Sequence, residues 1–359
     1  MASVLSELNA RAPGDKAAGW DIQGLQVGDP AAEVARLAVC HEVTDKVASI
    51  AIEGEVDLLV AYHPLLFKPT TRLVAGSGPI GRAYRLARAG VGVGIIHTAW
   101  DAARGGTSDA LATALGLESV ERFGPIDPTP LTKLVTFVPS AAVENVARAL
   151  TEVGAGRIGN YHGCSYRSEG IGTFIPGPGS EPVVGRIGGV SAEPEVRLEV
   201  LVSKPLEGTA IAALVATHPY DEPPFDLYEV RANLGLIGRV GTIDRPQPVG
   251  EFSDRVIEIL DAPVRCSGDR NRTVTRVALL PGSGGSFIAA AAGTGADVYI
   301  TGDLSHHDTR AALDLGLSTI DPGHAATERP GVIELMSVAR TILPDVIDLT
   351  DDATPWKEN

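Results

Sequence analysis

The chain has 359 residues, 44% hydrophobic and 21% charged, a globular composition at a length where two packed units, or one domain carrying an insertion, are expected. A net charge of −15 with no continuous Lys/Arg run, and only 5% aromatics, argue against nucleic acid or an anionic membrane as a partner. The dispersed Cys40, Cys164 and Cys266 predict neither a zinc ribbon nor a disulfide framework, and with no apolar leader and no apolar run of about 18 residues the expected compartment is the cytoplasm.

Short apolar runs at 36–41 (RLAVCH), 56–62 (VDLLVAY) and 91–97 (VGVGIIH) predict strands buried on both faces. Helices are predicted between them, over 44–53 with Thr44 as the N-cap and over 80–89. Residues 124–130 (GPIDPTP) read as a linker, being dense in turn formers. The order then becomes strand 134–138, helix 141–153, a glycine-rich region over 154–189, strand 196–202 and helix 208–216. Residues 234–248 read as a return carried by glycines and prolines. The last third predicts strands at 275–280, 298–301 and 318–321, alternating with helices from 286–292 and 307–315. The expected fold class is α/β: a split α/β domain with a mostly parallel sheet, residues 1–127 and 236–359, interrupted by an inserted α+β ferredoxin-like domain at 128–235.

Two of the early strands run into polar residues that packing does not demand, His63 in one and His97 in the other, with Asp101 four residues after His97. Ligands of open α/β sheets gather beyond the carboxyl ends of strands, so His63 and Asp101 are candidates for one rim; a histidine before Pro64 that merely ends a strand is the plainer account. His324 and Glu328 are four apart, one face of a helix, which suits an imidazole and a carboxylate on one ion and equally suits an exposed helix with a solvated glutamate. The run from Thr301 to Asp308 (TGDLSHHD) follows a predicted strand and can line a site, cap a helix through Asp303 or Ser305, or do both. Gly282 to Ser286 (GSGGS) has no lysine of a Walker loop and reads as a tight turn. No GxSxG elbow is present, and Cys40 beside His41 reads as buried rather than nucleophilic.

Five motifs in order, GLQVG (24–28), YHPLLF (62–67), HTAWD (97–101), TGDLSHHD (301–308) and DPGHAATE (321–328), resemble the family of GTP cyclohydrolase I type 2 homologs, also called NGG-interacting-factor-three-like proteins. The residues 158–165 (IGNYHGCS), 172–174 (GTF) and 217–223 (THPYDEP) are similar to the PII/CutA-like insert of longer members, where His218 and Glu222 would be ligands or would shape a turn. The resemblance implies one or two divalent ions (Zn, Mn or Fe): His63, Asp101 and Glu328 on one, His324 and Glu328 on the other. It also implies a ring-shaped homohexamer. The family pattern has two histidines where this chain has Tyr62-His63, and asparagine where it has Ile22.

Two functions follow as expectations. One is a metal-dependent hydrolase of a nucleotide-like or phosphorylated small molecule, with His63, Asp101, His324 and Glu328 as ligands and His97 or His306 as general base or acid. GTP ring opening is the activity that the family name implies. The other is a non-catalytic metal-binding scaffold or regulator whose insert senses a small ligand.

Overall fold

The computed structural model describes residues 1–126, 130–158, 161–230 and 235–351. Residues 127–129 of the expected linker, Gly159 and Asn160 of the 158–165 motif, and residues 231–234 lie outside the described residues.

In chain order the first part contains α1 (Ala2–Arg11), β1 (Gly24–Val27), β2 (Leu37–Cys40), α2 (Asp45–Glu53), β3 (Leu58–Ala61), α3 (Gly78–Ala89) and β4 (Gly92–Ile95). It continues with α4 (Thr98–Ala102), α5 (Thr107–Ala114) and β5 (Glu118–Ile126). The middle contains β6 (Leu131–Pro139), α6 (Val143–Glu152), β7 (Ser165–Phe174), β8 (Ser191–Ser203), α7 (Glu207–Thr217) and β9 (Phe225–Val230). The last part contains β10 (Gly235–Pro248), α8 (Val249–Leu260), β11 (Arg265–Ser267), β12 (Thr273–Ser283), α9 (Ile288–Gly293) and β13 (Val298–Gly302). It ends with α10 (His306–Asp314), β14 (Ser318–Asp321), α11 (His324–Ile342) and β15 (Val346–Leu349). The chain divides into two compact units, Met1–Ile126 with Gly235–Asn359, and Asp127–Leu234.

The first unit is built on two sheets. One has the order β1-β4-β3-β2-β15. Only its β1–β4 pairing is antiparallel. Strands β2, β3 and β4 are buried along their whole length, as parallel strands sandwiched between helices must be. On one face Leu37, Val39, Leu58 and Val60 pack with Leu8, Trp100 and Leu335. On the other, Ala38, Leu59 and Val93 pack with Val47, Ala51 and Leu86 from α2 and α3. Thr44 caps α2 by accepting from Val47 N at 3.1 Å, as its position predicts. Because β15 pairs with β2 (Val346 opposite Leu37), the last described strand closes the sheet that the first third of the chain begins.

The second sheet has the order β11-β14-β13-β12-β10-β5, with β12–β13 and β13–β14 parallel and the remaining pairings antiparallel. The expected mostly parallel sheet is thus one mostly parallel sheet and one mixed sheet. Two of the mixed sheet's strands fall where turns are expected. Residues 124–126 end β5, and the stretch taken for a return loop is the 14-residue β10, paired with β5 from Gly235 opposite Ile126. Helix α11 crosses close to α5: a Cβ on Gly331 would meet Thr107 Cα at 2.4 Å. Pro330 precedes it inside the helix, and the Gly331 carbonyl accepts from Trp100 Nε1 at 2.9 Å.

The second unit has the order β-α-β-β-α-β from β6 to β9, with the antiparallel sheet β7-β8-β6-β9, the element order of ferredoxin-like units. Leu134, Val138, Val146, Leu198 and Leu214 form its core.

Candidate metal centre

The parallel register brings the site residues together. Cys40, Ala61 and Ile95 lie abreast on β2, β3 and β4, so the residues that follow them leave the sheet side by side at its carboxyl edge. The ladder continues a step further, with Tyr62 N donating to Cys40 O at 3.0 Å and His63 N to His41 O at 2.9 Å. His41, Tyr62, His63 and His97 therefore emerge as neighbours: the His41 and His63 ring centroids are 4.6 Å apart, and those of His63 and His97 are 5.1 Å apart. From the other end of the sequence, α11 begins at His324 and carries Glu328 one turn on; an i,i+4 pair shares a face.

Glu328 is the hub. It is 3% exposed, and three imidazoles converge on it: His41 Nε2 at 2.7 Å and His63 Nε2 at 3.5 Å from Oε2, and His324 Nε2 at 3.0 Å from Oε1. Ligand atoms of His63, His324 and Glu328 all lie within 4.8 Å of one another, and so do those of His41, Glu42 and His63. The outer nitrogens are also held, His63 Nδ1 by Glu42 at 3.2 Å and His324 Nδ1 by Asp303 at 2.7 Å. Carboxylates behind ligand histidines fix their orientation in metal sites. Gly282 makes room for the hub: it has φ +67°, and a Cβ there would come within 2.5 Å of Glu328 Oε1.

Asp101 stands apart from that triad. It is 4% exposed, and its Oδ1 accepts from the Tyr62 hydroxyl at 2.5 Å, while the same hydroxyl is 3.5 Å from Glu328 Oε1. Of the four ligands expected from the sequence, His63, His324 and Glu328 come together as a group; Asp101 reaches Glu328 by way of Tyr62.

The clustered imidazoles and carboxylates shift one another's ionisation. Burial opposes charge on His63, but its hydrogen bonds to Glu328 and Glu42 and their charges outweigh it and carry its pKa up to about 10. His324 is raised to about 9, against burial, by Glu328 and Asp303. Burial would push the Glu328 carboxyl up, yet His324, His41 and His63 hold it well below the usual range. Asp101 goes the other way, to about 6, because burial is only partly offset by His97 and Tyr62. Imidazole nitrogens with one carboxylate are a donor set for Zn, Fe or Mn.

Other expected residues lie as follows. His97 is 8% exposed, and its Nδ1 is 2.9 Å from Asp21 Oδ1, whose second oxygen accepts from Thr98 N and Thr98 Oγ1. His306 is exposed in the first turn of α10, its ring against that of His307, and it takes no part in the network on Glu328. The same segment caps α10 through a Ser305–Asp308 capping box. Cys40 is buried, and burial pushes its thiol up, which suits the reading of a packed side chain. In the second unit, His218 accepts from Tyr220 N at 3.1 Å and pairs its other nitrogen with Phe137 O at 3.1 Å, so it shapes the turn. Sequence reasoning missed His41 and Glu42 as members of the cluster. The signal was available, because His41 ends an apolar strand run in the same way as His63 and His97.

A two-sheet α/β unit that gathers imidazoles and a carboxylate from distant parts of its sequence defines the class: an α/β protein with a buried His/Glu cluster able to hold an ion. Residues 1–350 match the family described as Duf34/NIF3 (NGG1p interacting factor 3). A Bacillus subtilis protein named GTP cyclohydrolase 1 type 2 homolog is 40% identical, over 84% of this chain and 82% of that one. A Mycobacterium leprae protein of the same name is 34% identical, over 99% and 94%. The solved structure of a Bacillus cereus protein related to NIF3 has a TM-score of 0.65 and 31% identity, covering 99% of this chain and 98% of that chain. The chain belongs to the Duf34/NIF3 family, as its motifs suggest. No described helix is long and apolar enough to cross a membrane.

Proposed function

We propose that this protein is a metal-dependent hydrolase of a nucleotide-like or phosphorylated small molecule, with a divalent ion held by His63, His324 and Glu328. The observation that carries the reading is the convergence of those three ligand atoms within 4.8 Å. The names of the relatives, GTP cyclohydrolase 1 type 2 homolog, support the substrate class. A divalent ion in such a set supplies Lewis acidity and brings the ionisation of water toward neutral pH. Asp21 holds Nδ1 of His97, which leaves Nε2 to take or give a proton as general base or acid. His41 and Glu42 orient the ligand side chains, and Asp303 does the same for His324.

The test is turnover of GTP and a phosphoester panel by purified protein reloaded with Zn²⁺, Mn²⁺ or Fe²⁺. His63→Ala is expected to lower it by more than about 100-fold; turnover that survives the substitution sinks the hydrolase reading. A second reading, a metal-binding regulator with a PII/CutA-like sensing insert, is favoured by a cleft of about 650 Å³ in the second unit, lined by Phe137, Glu195, Arg197 and Tyr220. Assembly as a homohexamer in the cytoplasm belongs to both readings.

A further inference from the structure

Tyr62 stands where two buried carboxylates approach each other. Asp101 and Glu328 are 4% and 3% exposed, and Tyr62 itself is fully buried. Its hydroxyl lies 2.5 Å from Asp101 Oδ1 and 3.5 Å from Glu328 Oε1. Two carboxylates in a dry pocket need either a cation or a donated hydrogen bond between them. Here the Tyr62 phenol donates to Asp101 and sits 3.5 Å from Glu328 Oε1.

The other contacts of Glu328 are imidazoles. Its Oε2 faces His41 and His63, its Oε1 faces His324, and the three-ligand group formed there is His63, His324 and Glu328. Among the described residues, no three-ligand group includes Asp101. Glu328 thus meets three imidazoles and, at Oε1, also a neutral phenol that donates to Asp101. The stacked contact of Tyr62 with His41, ring centroids 5.5 Å apart, and the edge contact with His97 at 5.4 Å wedge the phenol in place.

We propose that this centre takes a single divalent ion per chain, at His63, His324 and Glu328, and that the Tyr62 hydroxyl, donating to Asp101 beside Glu328, stands in place of a second ion. The proposal rests on the reading of this cluster as a metal centre. Asp101 is then the partner of a tyrosine rather than a ligand, and the chemistry available is that of one Lewis acid, without the two-ion clamp that grips attacking and leaving oxygens together.

The experiment is metal stoichiometry on the full-length protein, stripped with chelator, reloaded with Mn²⁺ or Zn²⁺, desalted and analysed by plasma mass spectrometry. Wild type is expected to retain one ion per chain. Tyr62→His, which exchanges the phenol for an imidazole beside Asp101 and Glu328, is expected to raise this to two, with circular dichroism checking that the variant is folded. Two ions in wild type, or one in folded Tyr62→His, would overturn the single-ion proposal and leave the metal centre standing. No ion in wild type would overturn both. Electron paramagnetic resonance needs no variant: the Mn²⁺-saturated wild type should give the spectrum of isolated ions, and an exchange-coupled pair would contradict the proposal.

Discussion

Glu328 is the side chain on which the candidate site converges. A carboxylate at 3% exposure survives as an anion only if its surroundings replace the water it has lost. Three imidazoles do so here, and the same contacts raise the pKa of His63 and His324, against burial. An ion held by these residues would take neutral imidazole, so its binding would release protons. Gly282 is the least conspicuous part of this arrangement. With φ +67° and Glu328 Oε1 only 2.5 Å from where its Cβ would be, it is a position that side chains avoid. Gly282→Ala is expected to displace the carboxylate and weaken Zn²⁺ binding about 10–100-fold, the scale seen when a residue that positions a ligand is lost. Competition titration against a chelating dye measures this; an unchanged affinity would mean that Glu328 does not depend on that contact.

The elements explain why the side chains meet. Strands β2, β3 and β4 are in parallel register, so a polar residue placed just past each one arrives at a shared edge, and α11 brings two more on consecutive turns. Helix α4 is positioned by Asp21, whose carboxylate joins His97 Nδ1, Thr98 N and Thr98 Oγ1. Burial would raise the pKa of Asp21, but His97 and Thr98 more than offset it and hold it at about 2. A depressed carboxylate contributes stability that is fully present above its unfolded value near 3.9 and is lost as pH falls through the folded value. Asp21→Asn is therefore expected to cost about 1–3 kcal/mol at pH 6. In urea melts the gap from wild type should narrow between about pH 4 and pH 2; a gap that is constant over that range would refute the assignment. The short buried strands and the start of α11 were legible because continuous apolar runs and an i,i+4 pair are strong local signals. Strands β5, β7 and β10 were not. β5 and β10 carry glycine and proline within the strand, Gly238 packing where a Cβ would meet the Phe123 ring at 2.5 Å. Most of β7 is exposed on both sides, so no period-2 pattern marks it. The pairing of Asp101 with Tyr62 was equally hidden, since sequence spacing cannot say which of two buried groups a carboxylate will face.

At the scale of the whole molecule, the closure of β15 onto β2 and the passage of α11 across α5, β12 and β2 make one pocket out of residues nearly 290 positions apart, His41 and Glu328 being separated by 287. The insertion between Ile126 and Gly235 leaves that closure intact, because β5 and β10 pair directly where it enters and leaves. Residues 1–350, which match the Duf34/NIF3 family, include every residue of this pocket. Anomalous diffraction at the zinc edge, from crystals of the zinc-loaded protein, tests the central claim most directly. The account predicts one peak bonded to His63, His324 and Glu328, with Tyr62 between that carboxylate and Asp101; a peak bonded to Asp101, or none at this cluster, would contradict it.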